Sequence, residues 1–518
     1  MMRTDIVEID GGRIEGLVSE DGACRIFRGI PFAAPPVGPL RWRAPQPVVP
    51  WPDVRRADRF GPAPVQPLIA GDSIMRQFSF ASPPECGISE DCLYLNVWSG
   101  ARASGEKRPV IVWIFGGGHR VGSASHPVAD GTQLAKLGAV VVSVNYRLGA
   151  LGYLAHSELT RESGASGNYA GLDIVAALHW VRRNIAAFGG DPSCVTLFGQ
   201  SAGAAHVNVL AASPIARGLF HRVIVHSSGR FAGGPMGAPM KTLEEAEQDG
   251  ERLLAGIGAH SLEDLRNMPA DAMSGPRGMW NPIVDGRLLT DSVQAIFERG
   301  AETRVPVLAG YTANEAAPYP QTDLHTREGF LRHASNTYGH DAEAFLRLYP
   351  HATDEQAAQS SYLLRRDTAF AYQPYKYAQF AARSGVADTW LFNFERDVPL
   401  PDTARFHEPV PPHGYGAYHG AELWYVFDNL KQQPWAWTAQ DERVAHHMSR
   451  SWVAFARTGN PNADGLSKWP AFTPRAPLAM RFGERIEAGA PLNREALEFH
   501  DAHFHRARST AHDIVPNA

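Results

Sequence analysis

Ser201 lies in the segment whose residue types suggest chemistry most clearly, between Gly199 and Gly203. An apolar run precedes this serine, and a small-residue stretch that predicts the start of a helix follows it. A Gly-x-Ser-x-Gly pattern between a strand and a helix is typical of a nucleophile elbow, a tight turn in which larger neighbours would collide. The turn would place the serine Oγ at a helix N-terminus, where the dipole favours negative charge. Because the bare pattern also occurs in ordinary turns, the flanking elements decide this interpretation.

A serine alcohol attacks a carbonyl group efficiently only when a base removes its proton and N–H donors stabilise the oxyanion that forms. Three consecutive glycines at 116–118 follow another apolar run, and they have no side chains to block their N–H groups. We therefore expect Gly117 and Gly118 to supply two donors of an oxyanion hole, and Ala202 to supply a third. The alternative is a flexible turn after a strand, which the downstream elbow disfavours.

Continuous apolar runs predict the strands that position these residues, because a strand buried on both faces shows no polar alternation. The runs span residues 109–115, 139–146, 195–199 and 222–227, and further strands are predicted at 6–9, 13–18, 93–98, 305–310 and 389–394. A helix with apolar residues at i, i+3, i+4 and i+7 is predicted over 171–185. Strands that alternate with helices predict an α/β fold with a large, mostly parallel sheet flanked by helices.

The composition excludes several other classes of protein. Hydrophobic residues make up 44% and charged residues 20% of the 518 residues, as in ordinary globular chains. The formal net charge of -5 provides no basic surface for nucleic acid. The apolar runs are too short to span a membrane, and the N-terminus lacks the apolar region of a signal peptide. We therefore expect a cytoplasmic protein with no membrane or nucleic-acid partner.

Several longer motifs resemble those of the type-B carboxylesterases, the family of cholinesterases, liver carboxylesterases and bacterial para-nitrobenzyl esterases. The resemblance extends over roughly residues 10–475, and the motifs that match lie, in the family's order, at 27–38, 90–98, 145–152, 188–203 and 455–462. Several independent motifs in one order are more specific than any single motif. The resemblance implies one α/β-hydrolase domain over 1–518. The segments around 231–280 and 316–385 are rich in helix and loop patterns that interrupt the succession of strands, so we expect them to be insertions that form the cap and pocket region.

The resemblance also implies a Ser–His–Glu catalytic triad. The segment 310–316 matches the family's acid segment and indicates Glu315, and the segment 418–427 matches its histidine segment and indicates His419. His419 would accept the proton of Ser201 and later protonate the leaving alcohol, while Glu315 would fix the imidazole tautomer. Without the resemblance, the residue pattern alone would not single out one histidine among the 21 in the chain.

Departures from the family pattern concern the surroundings of this triad. Gln200 precedes the serine where the family has Glu, Ala316 follows the acid where the family has Gly, and Phe115 and His119 flank the three glycines in place of the usual residues. These changes affect the expected substrate preference and leave the expected reaction type intact. The side chains that we expect in the substrate pocket are Phe115, His119, Trp280, Phe370 and Trp424.

The predicted function is hydrolysis of small-molecule carboxylic esters through an acyl-enzyme, without a metal or cofactor, by a monomer or homodimer. The same triad would also serve a carbamate, amide, lactone or thioester hydrolase, because pocket shape sets the choice of leaving group. A third hypothesis is a binding protein, since some relatives in the family have lost catalysis. The presence of both Ser201 and His419 argues against this third hypothesis.

Other candidate sites are interpreted as structural. Pairs that resemble the family's buried ion pairs are Arg41 with Glu90 and Arg147 with Asp173. The histidines at 500, 503 and 505 fit no common zinc spacing, and like those at 446 and 447 they are expected on a solvated helix face.

Cys86 and Cys92 are close enough in sequence to form a disulfide, if the geometry allows it. The partner that Cys92 has in secreted relatives is replaced near Pro64, so the resemblance implies that this other disulfide is absent.

Overall fold

The computed structural model describes residues 2–78, 87–231, 233, 239–259, 261–274, 278, 280–401 and 403–513. Its strands are β1 (Val7–Ile9), β2 (Gly12–Glu15), β3 (Leu17–Val18), β4 (Arg25–Pro31), β5 (Arg55–Arg56), β6 (Tyr94–Ser99), β7 (Arg108–Ile114), β8 (Val140–Val144), β9 (Gly190–Gln200), β10 (Arg222–His226), β11 (Val307–Thr312), β12 (Thr389–Phe394), β13 (Ala479–Phe482) and β14 (Ile486–Gly489).

Its α-helices are α1 (Ile74–Phe78), α2 (Thr132–Lys136), α3 (Gly149–Tyr153), α4 (Ser157–Ser163), α5 (Tyr169–Asn184), α6 (Ala202–Ala212), α7 (Leu243–Gly256), α8 (Leu262–Asn267), α9 (Val293–Glu298), α10 (Arg327–Tyr338), α11 (Ala342–Leu348), α12 (Asp354–Arg365), α13 (Tyr372–Ser384), α14 (Leu423–Val426), α15 (Ala439–Thr458) and α16 (Arg494–Asp513). A π-helical segment, Arg366–Ala371, joins α12 to α13. None of the helices in the described ranges combines the length and apolarity needed to cross a bilayer.

A large mixed sheet has the strand order β14-β13-β12-β11-β10-β9-β7-β8-β6-β4-β3, and a small one has the order β1-β2-β5. Every neighbouring pair from β13 to β8 is parallel, whereas the pairs toward β14 and from β8 to β3 are antiparallel. The predicted apolar runs form the parallel centre, where β8, β11 and β12 are buried at every position. Helices cover this centre, as the continuous apolar runs indicate. The α/β prediction is confirmed.

The parallel centre brings the candidate catalytic segments to one edge of the sheet. Since β7, β9 and β11 run in the same direction, their carboxyl ends lie side by side, and loops that follow those ends converge. The glycine loop follows β7, Ser201 follows β9, and Glu315 lies three residues past β11. The two segments predicted as insertions contain α7 and α8 in the first and α10 to α13 in the second.

A buried ion pair ties α5 to the loop after β8. The guanidinium of Arg147 donates to both carboxylate oxygens of Asp173 at 2.8 and 2.7 Å, and its backbone N–H donates to the same group at 3.0 Å. The second pair has the same two-pronged geometry, since the guanidinium of Arg41 donates twice to Glu90, each time at 2.6 Å. Both ion pairs inferred from the sequence are confirmed.

Asp173→Asn is expected to lower the free energy of unfolding by about 3–5 kcal/mol, because it leaves the Arg147 guanidinium buried and uncompensated. Urea unfolding followed by tryptophan fluorescence would measure the loss. Asp291→Asn is the matched control, since Asp291 pairs with Arg299 at the surface and its loss should cost less than about 1 kcal/mol. Equal losses in the two variants would contradict a structural role for the buried pair.

Two of the histidine predictions were wrong. His500 is 0% exposed, and its Nε2 lies 2.9 Å from the Tyr349 hydroxyl, so this face of α16 packs against the α10–α12 region instead of facing solvent. His447 is also buried, and its Nε2 accepts from the Ser467 N–H at 3.0 Å. The neighbouring His446 is exposed as expected. Among the described residues, no group of His, Cys, Asp and Glu side chains could hold a metal ion.

Cys92 has a buried free thiol, whose pKa is raised by desolvation. The predicted pairing of Cys92 with Cys86 concerns a residue outside the described ranges.

Candidate active site

Ser201 occupies a strained turn between β9 and α6. Its backbone has φ 54° and ψ −126°, a left-handed φ that a non-glycine residue rarely adopts. The flanking glycines permit this turn. A Cβ at Gly199 would lie 2.3 Å from the backbone of Gly203, and one at Gly203 would lie 2.0 Å from the carbonyl oxygen of Ile114. Both positions therefore exclude any side chain, as the elbow pattern predicts.

Neighbouring strands hold this turn in place. The Ser201 N–H donates to the carbonyl of His226 at the end of β10, at 2.9 Å. On the other side, a Cβ at Gly116 would lie 2.9 Å from the Ser201 Cβ, so the glycine loop after β7 touches the serine. Within the described ranges, the N–H groups of Gly117, Gly118 and Ala202 donate to no protein acceptor. Three backbone donors next to the serine therefore remain available to a ligand.

Glu315 and His419 form a buried pair beyond the end of β11. His419 Nδ1 lies 2.5 Å from Glu315 Oε2, and both side chains are essentially inaccessible to solvent. The other carboxylate oxygen, Oε1, accepts from the Thr312 N–H at 2.7 Å. The two loops are joined directly, because the N–H of Asn314 donates to the Ala417 carbonyl at 3.0 Å and the N–H of Ala417 donates to the Asn314 side chain at 3.0 Å. Backbone hydrogen bonds thus set the distance between acid and histidine.

Gln200 contacts the opposite nitrogen of the histidine ring. Its amide Nε2 lies 3.2 Å from His419 Nε2, and an amide N–H donates to that nitrogen only if the nitrogen has a lone pair. The proton of the neutral ring then lies on Nδ1, toward Glu315. This tautomer is the one that a general base requires at Nε2.

Glu422 is a second buried carboxyl group near the pair, on the segment that contains His419. Trp452 Nε1 donates to His226 Nε2 at 3.2 Å, which leaves the His226 proton on Nδ1, 3.0 Å from Glu422 Oε1. Burial, assisted by the charge of Glu315, raises the pKa of Glu422 to about 8. Glu422 is therefore mostly protonated at neutral pH, and one negative charge instead of two lies beside His419.

Because the pKa of Glu422 is raised in the folded protein, the free energy of unfolding should depend on pH through this residue. Between its ordinary pKa of 4.5 and about 8, the folded chain holds a proton that the unfolded chain has lost, so Glu422 lowers the free energy of unfolding as pH rises. Glu422→Gln removes this titration. The stability of the variant relative to wild type should increase by up to about 1.4 kcal/mol per pH unit across that range. Urea unfolding at several pH values would measure the difference, and a constant difference would contradict the assignment.

His119, directly after the glycine loop, belongs to a buried chain of polar side chains. The Tyr153 hydroxyl lies 2.9 Å from His119 Nδ1 and 2.6 Å from His206 Nε2. Burial lowers the pKa of His119 well below its ordinary value and the pKa of His206 to about 3. Both imidazoles are therefore neutral at physiological pH. This cluster supports the glycine loop from α3 and α6 without adding charge.

A cavity of about 320 Å³ opens beside the serine. Among the described residues, its lining consists of Gly118, His119, Arg120, Ser201, Ala202, Ala205, Ser228, Gly229, Arg230, Pro239, Lys241, Gly278, Trp280, Asn281, Pro282 and Ile283. His119 and Trp280, two of the five predicted pocket residues, belong to this lining.

The other three predicted pocket residues lie elsewhere. Phe370 packs against the His419 ring, with centroids 4.6 Å apart, and is not among the residues that line the cavity. Phe115 stacks on Tyr146 at 4.3 Å under the glycine loop. Trp424 is 0% exposed in the core. Neither Phe115 nor Trp424 is among the described lining residues, and the aromatic surface of both is buried in the protein interior.

Several residues of the site were missed by the sequence analysis. Tyr153 and His206 come from α3 and α6, and only the fold brings them to His119. Arg230 lines the cavity from the loop after β10, and no motif marks it. Glu422 could have been identified from the sequence, because it lies three residues after His419 in a segment that matches the family's histidine motif.

A strained serine after a central strand of a mostly parallel sheet, with helices on both faces, places the protein in the α/β-hydrolase fold class. The model of the carboxylesterase family matches residues 3–500. The chain is 36% identical over 501 residues to the fumonisin B1 esterase of Sphingopyxis macrogoltabida, covering 93% of this chain and 87% of that protein. It is 33% identical over 494 residues to the para-nitrobenzyl esterase of Bacillus subtilis, covering 91% and 93%.

A solved structure of a PNB esterase superimposes with a TM-score of 0.78 at 30% identity, over 95% of this chain and 99% of that chain. The chain belongs to the carboxylesterase family, and it is a carboxylic ester hydrolase.

Proposed function

We propose that the protein hydrolyses small-molecule carboxylic esters through an acyl-enzyme on Ser201, with His419 as general base and acid and Glu315 as its orienting carboxylate. The main support is the 2.5 Å hydrogen bond between His419 Nδ1 and Glu315, buried beside the strained serine turn. A neutral imidazole held in this tautomer keeps a lone pair on Nε2, which is the nitrogen that must accept the serine proton.

In the first half of the reaction, Ser201 Oγ attacks the ester carbonyl while His419 Nε2 takes its proton. The carbonyl oxygen becomes an oxyanion, which the N–H groups of Gly117, Gly118 and Ala202 stabilise. Support for this role is that these three donors have no acceptor within the described ranges. When the tetrahedral intermediate collapses, the C–O bond to the alcohol breaks and His419 returns the proton to the departing oxygen.

In the second half, His419 removes a proton from water, and the resulting nucleophile attacks the acyl-enzyme carbonyl. The same donors hold the second oxyanion, and the proton returns to Ser201 Oγ as the acid leaves. Glu315 stabilises the imidazolium in both halves without becoming protonated itself. Each step uses only groups of this chain and water.

The direct test uses para-nitrophenyl esters with acyl chains of two, four and eight carbons, together with a fluorophosphonate that reacts with activated serines. We expect para-nitrophenolate release at rates that report the acyl-length preference, and a covalent adduct on the peptide that contains Ser201. The matching para-nitroanilides and aryl carbamates separate an esterase from an amidase or carbamate hydrolase. An adduct on a different residue, or none at all in an active preparation, would contradict the serine mechanism.

A further inference from the structure

The charge of the active-site cavity is unusual for a pocket that receives esters. Small-molecule sites are mostly apolar, with few charged groups. Here three of the described lining residues are cations, Arg120, Arg230 and Lys241, and none of the described lining residues is Asp or Glu. Because low-dielectric walls focus the field of such charges, the cavity attracts anions.

Arg230 is the cation that the protein encloses most. It is 8% exposed, and burial lowers its pKa to about 10, which leaves it charged at neutral pH. Its charge also contributes to the lowered pKa of His119, a neighbour in the lining. Arg230 and Ser201 line the same cavity, so an anion bound there would interact with an enclosed positive charge close to the nucleophile.

The backbone around Arg230 is held from both sides. Its N–H donates to Asn208 Oδ1 on α6 at 3.2 Å, and the next N–H, of Phe231, donates to Gln373 Oε1 on α13 at 2.8 Å. At the preceding residue, a Cβ on Gly229 would lie 2.7 Å from Asn208 Oδ1, so the chain passes close to α6. The position of Arg230 is therefore built into the scaffold that also holds Ser201.

The other two cations are more accessible. Arg120 is exposed and lies two residues after Gly118. The Lys241 ammonium forms an ion pair with Asp249, and its side chain is 49% exposed. Asp249 offsets part of the charge of Lys241, so Arg120 is the more effective of the two in attracting an anion, whereas Arg230 can bind it inside the cavity.

We propose that the preferred substrates are esters that also contain a carboxylate, and that Arg230 binds this carboxylate while Ser201 attacks the ester carbonyl. This inference rests on the proposed function of Ser201. A guanidinium presents N–H groups in a planar fork that matches both oxygens of a carboxylate, which gives orientation as well as affinity. Arg230 is thus a specificity-determining residue.

The test compares two substrates of equal acyl length, the para-nitrophenyl ester of pentanoic acid and the mono-para-nitrophenyl ester of glutaric acid, in which a carboxylate replaces the terminal methyl group. A second pair, phenyl acetate and 4-acetoxybenzoate, places the carboxylate on the alcohol side. After subtraction of spontaneous hydrolysis, kcat/KM of wild type should favour the anionic member of at least one pair by about tenfold or more. Salt should reduce this preference, because it screens charge.

Arg230→Gln should reduce the anionic-to-neutral ratio of kcat/KM by roughly 10- to 100-fold, mostly through KM of the anionic ester. Arg230→Lys keeps the charge and should restore part of the ratio. The control is Arg182→Gln, since Arg182 is exposed on α5, away from the lining, and this variant should retain both activity and ratio. An unchanged ratio in Arg230→Gln, or equal kcat/KM values in both pairs for wild type, would overturn the inference.

Binding to the inactive variant Ser201→Ala separates this inference from the proposed function. Titration calorimetry with monomethyl glutarate and with neutral methyl pentanoate should give heat for the anionic ester only. If wild type cleaved no ester but this binding preference held, the serine mechanism would fail and the carboxylate site would stand. If esters were cleaved without any charge preference, the reverse would be true.

Discussion

Ser201→Ala is expected to lower kcat for para-nitrophenyl esters by roughly 10⁶-fold, because no other group at the β9–α6 turn can form the acyl-enzyme. The variant should fold normally, since alanine has a Cβ where serine has one and the turn depends on the flanking glycines. The remaining rate should still exceed that in water by roughly 10³-fold, because the oxyanion donors and the cavity remain. Initial rates with excess enzyme, together with fluorophosphonate labelling, would measure both expectations.

Ser213→Ala is the matched control for this experiment. Ser213 lies at the other end of α6 and is also buried, but it is not among the residues that line the cavity. Its replacement should leave kcat within about twofold of wild type and should not prevent labelling of Ser201. If Ser201→Ala kept more than a small fraction of the wild-type rate in a preparation free of other esterases, a different nucleophile would be required.

Glu315→Gln is expected to lower kcat by roughly 10³- to 10⁴-fold, the second largest effect. The glutamine amide can place its NH₂ group against His419 Nδ1, and the ring proton then moves to Nε2. A ring protonated on Nε2 cannot accept the proton of Ser201. The carboxylate that stabilises the imidazolium is lost as well. Because Glu315 is buried at 2.5 Å from the ring, solvent cannot substitute for it.

The kcat losses of the two single variants should not multiply in the double variant. Residues that act as one catalytic unit cannot lose their joint contribution twice, so Ser201→Ala combined with Glu315→Gln should be no slower than Ser201→Ala alone. The measurement is kcat for the two single variants and the double variant on one ester. Multiplication of the two losses in the double variant would mean that Glu315 acts independently of Ser201.

Local patterns predicted the elements that hold the site with good accuracy. The apolar run at 389–394 corresponds to β12 residue for residue, and the predicted helix at 171–185 corresponds to α5, Tyr169–Asn184. Such patterns succeed because burial on both faces of a sheet, or on one stripe of a helix, must be encoded in consecutive residues. The turn at Ser201 was predicted correctly for a similar reason. Its backbone leaves no room for a side chain at Gly199 or Gly203, and this requirement involves only a few neighbouring positions.

Predictions that depended on distant packing were less accurate. His500 was expected to face solvent, but the side of α16 that contains it packs against the α10–α12 region. Trp424 was expected in the pocket and lies in the core. A single helix or loop does not reveal which neighbour covers it, because residues far away in sequence provide that neighbour.

The sequence by itself therefore determined the central strands β6 to β12, the turn at Ser201 and the family motifs, all of which depend on residues near one another in the chain. It did not predict the outer strands β4, β5, β13 and β14. Only the tertiary structure decided that Glu315 and His419 meet at 2.5 Å, although they are 104 positions apart. It alone also brought Arg230 into one cavity with Ser201 and buried the carboxyl group of Glu422 away from solvent. Distances between side chains and the desolvation of a charge result from packing between elements, and no short stretch of sequence records that packing.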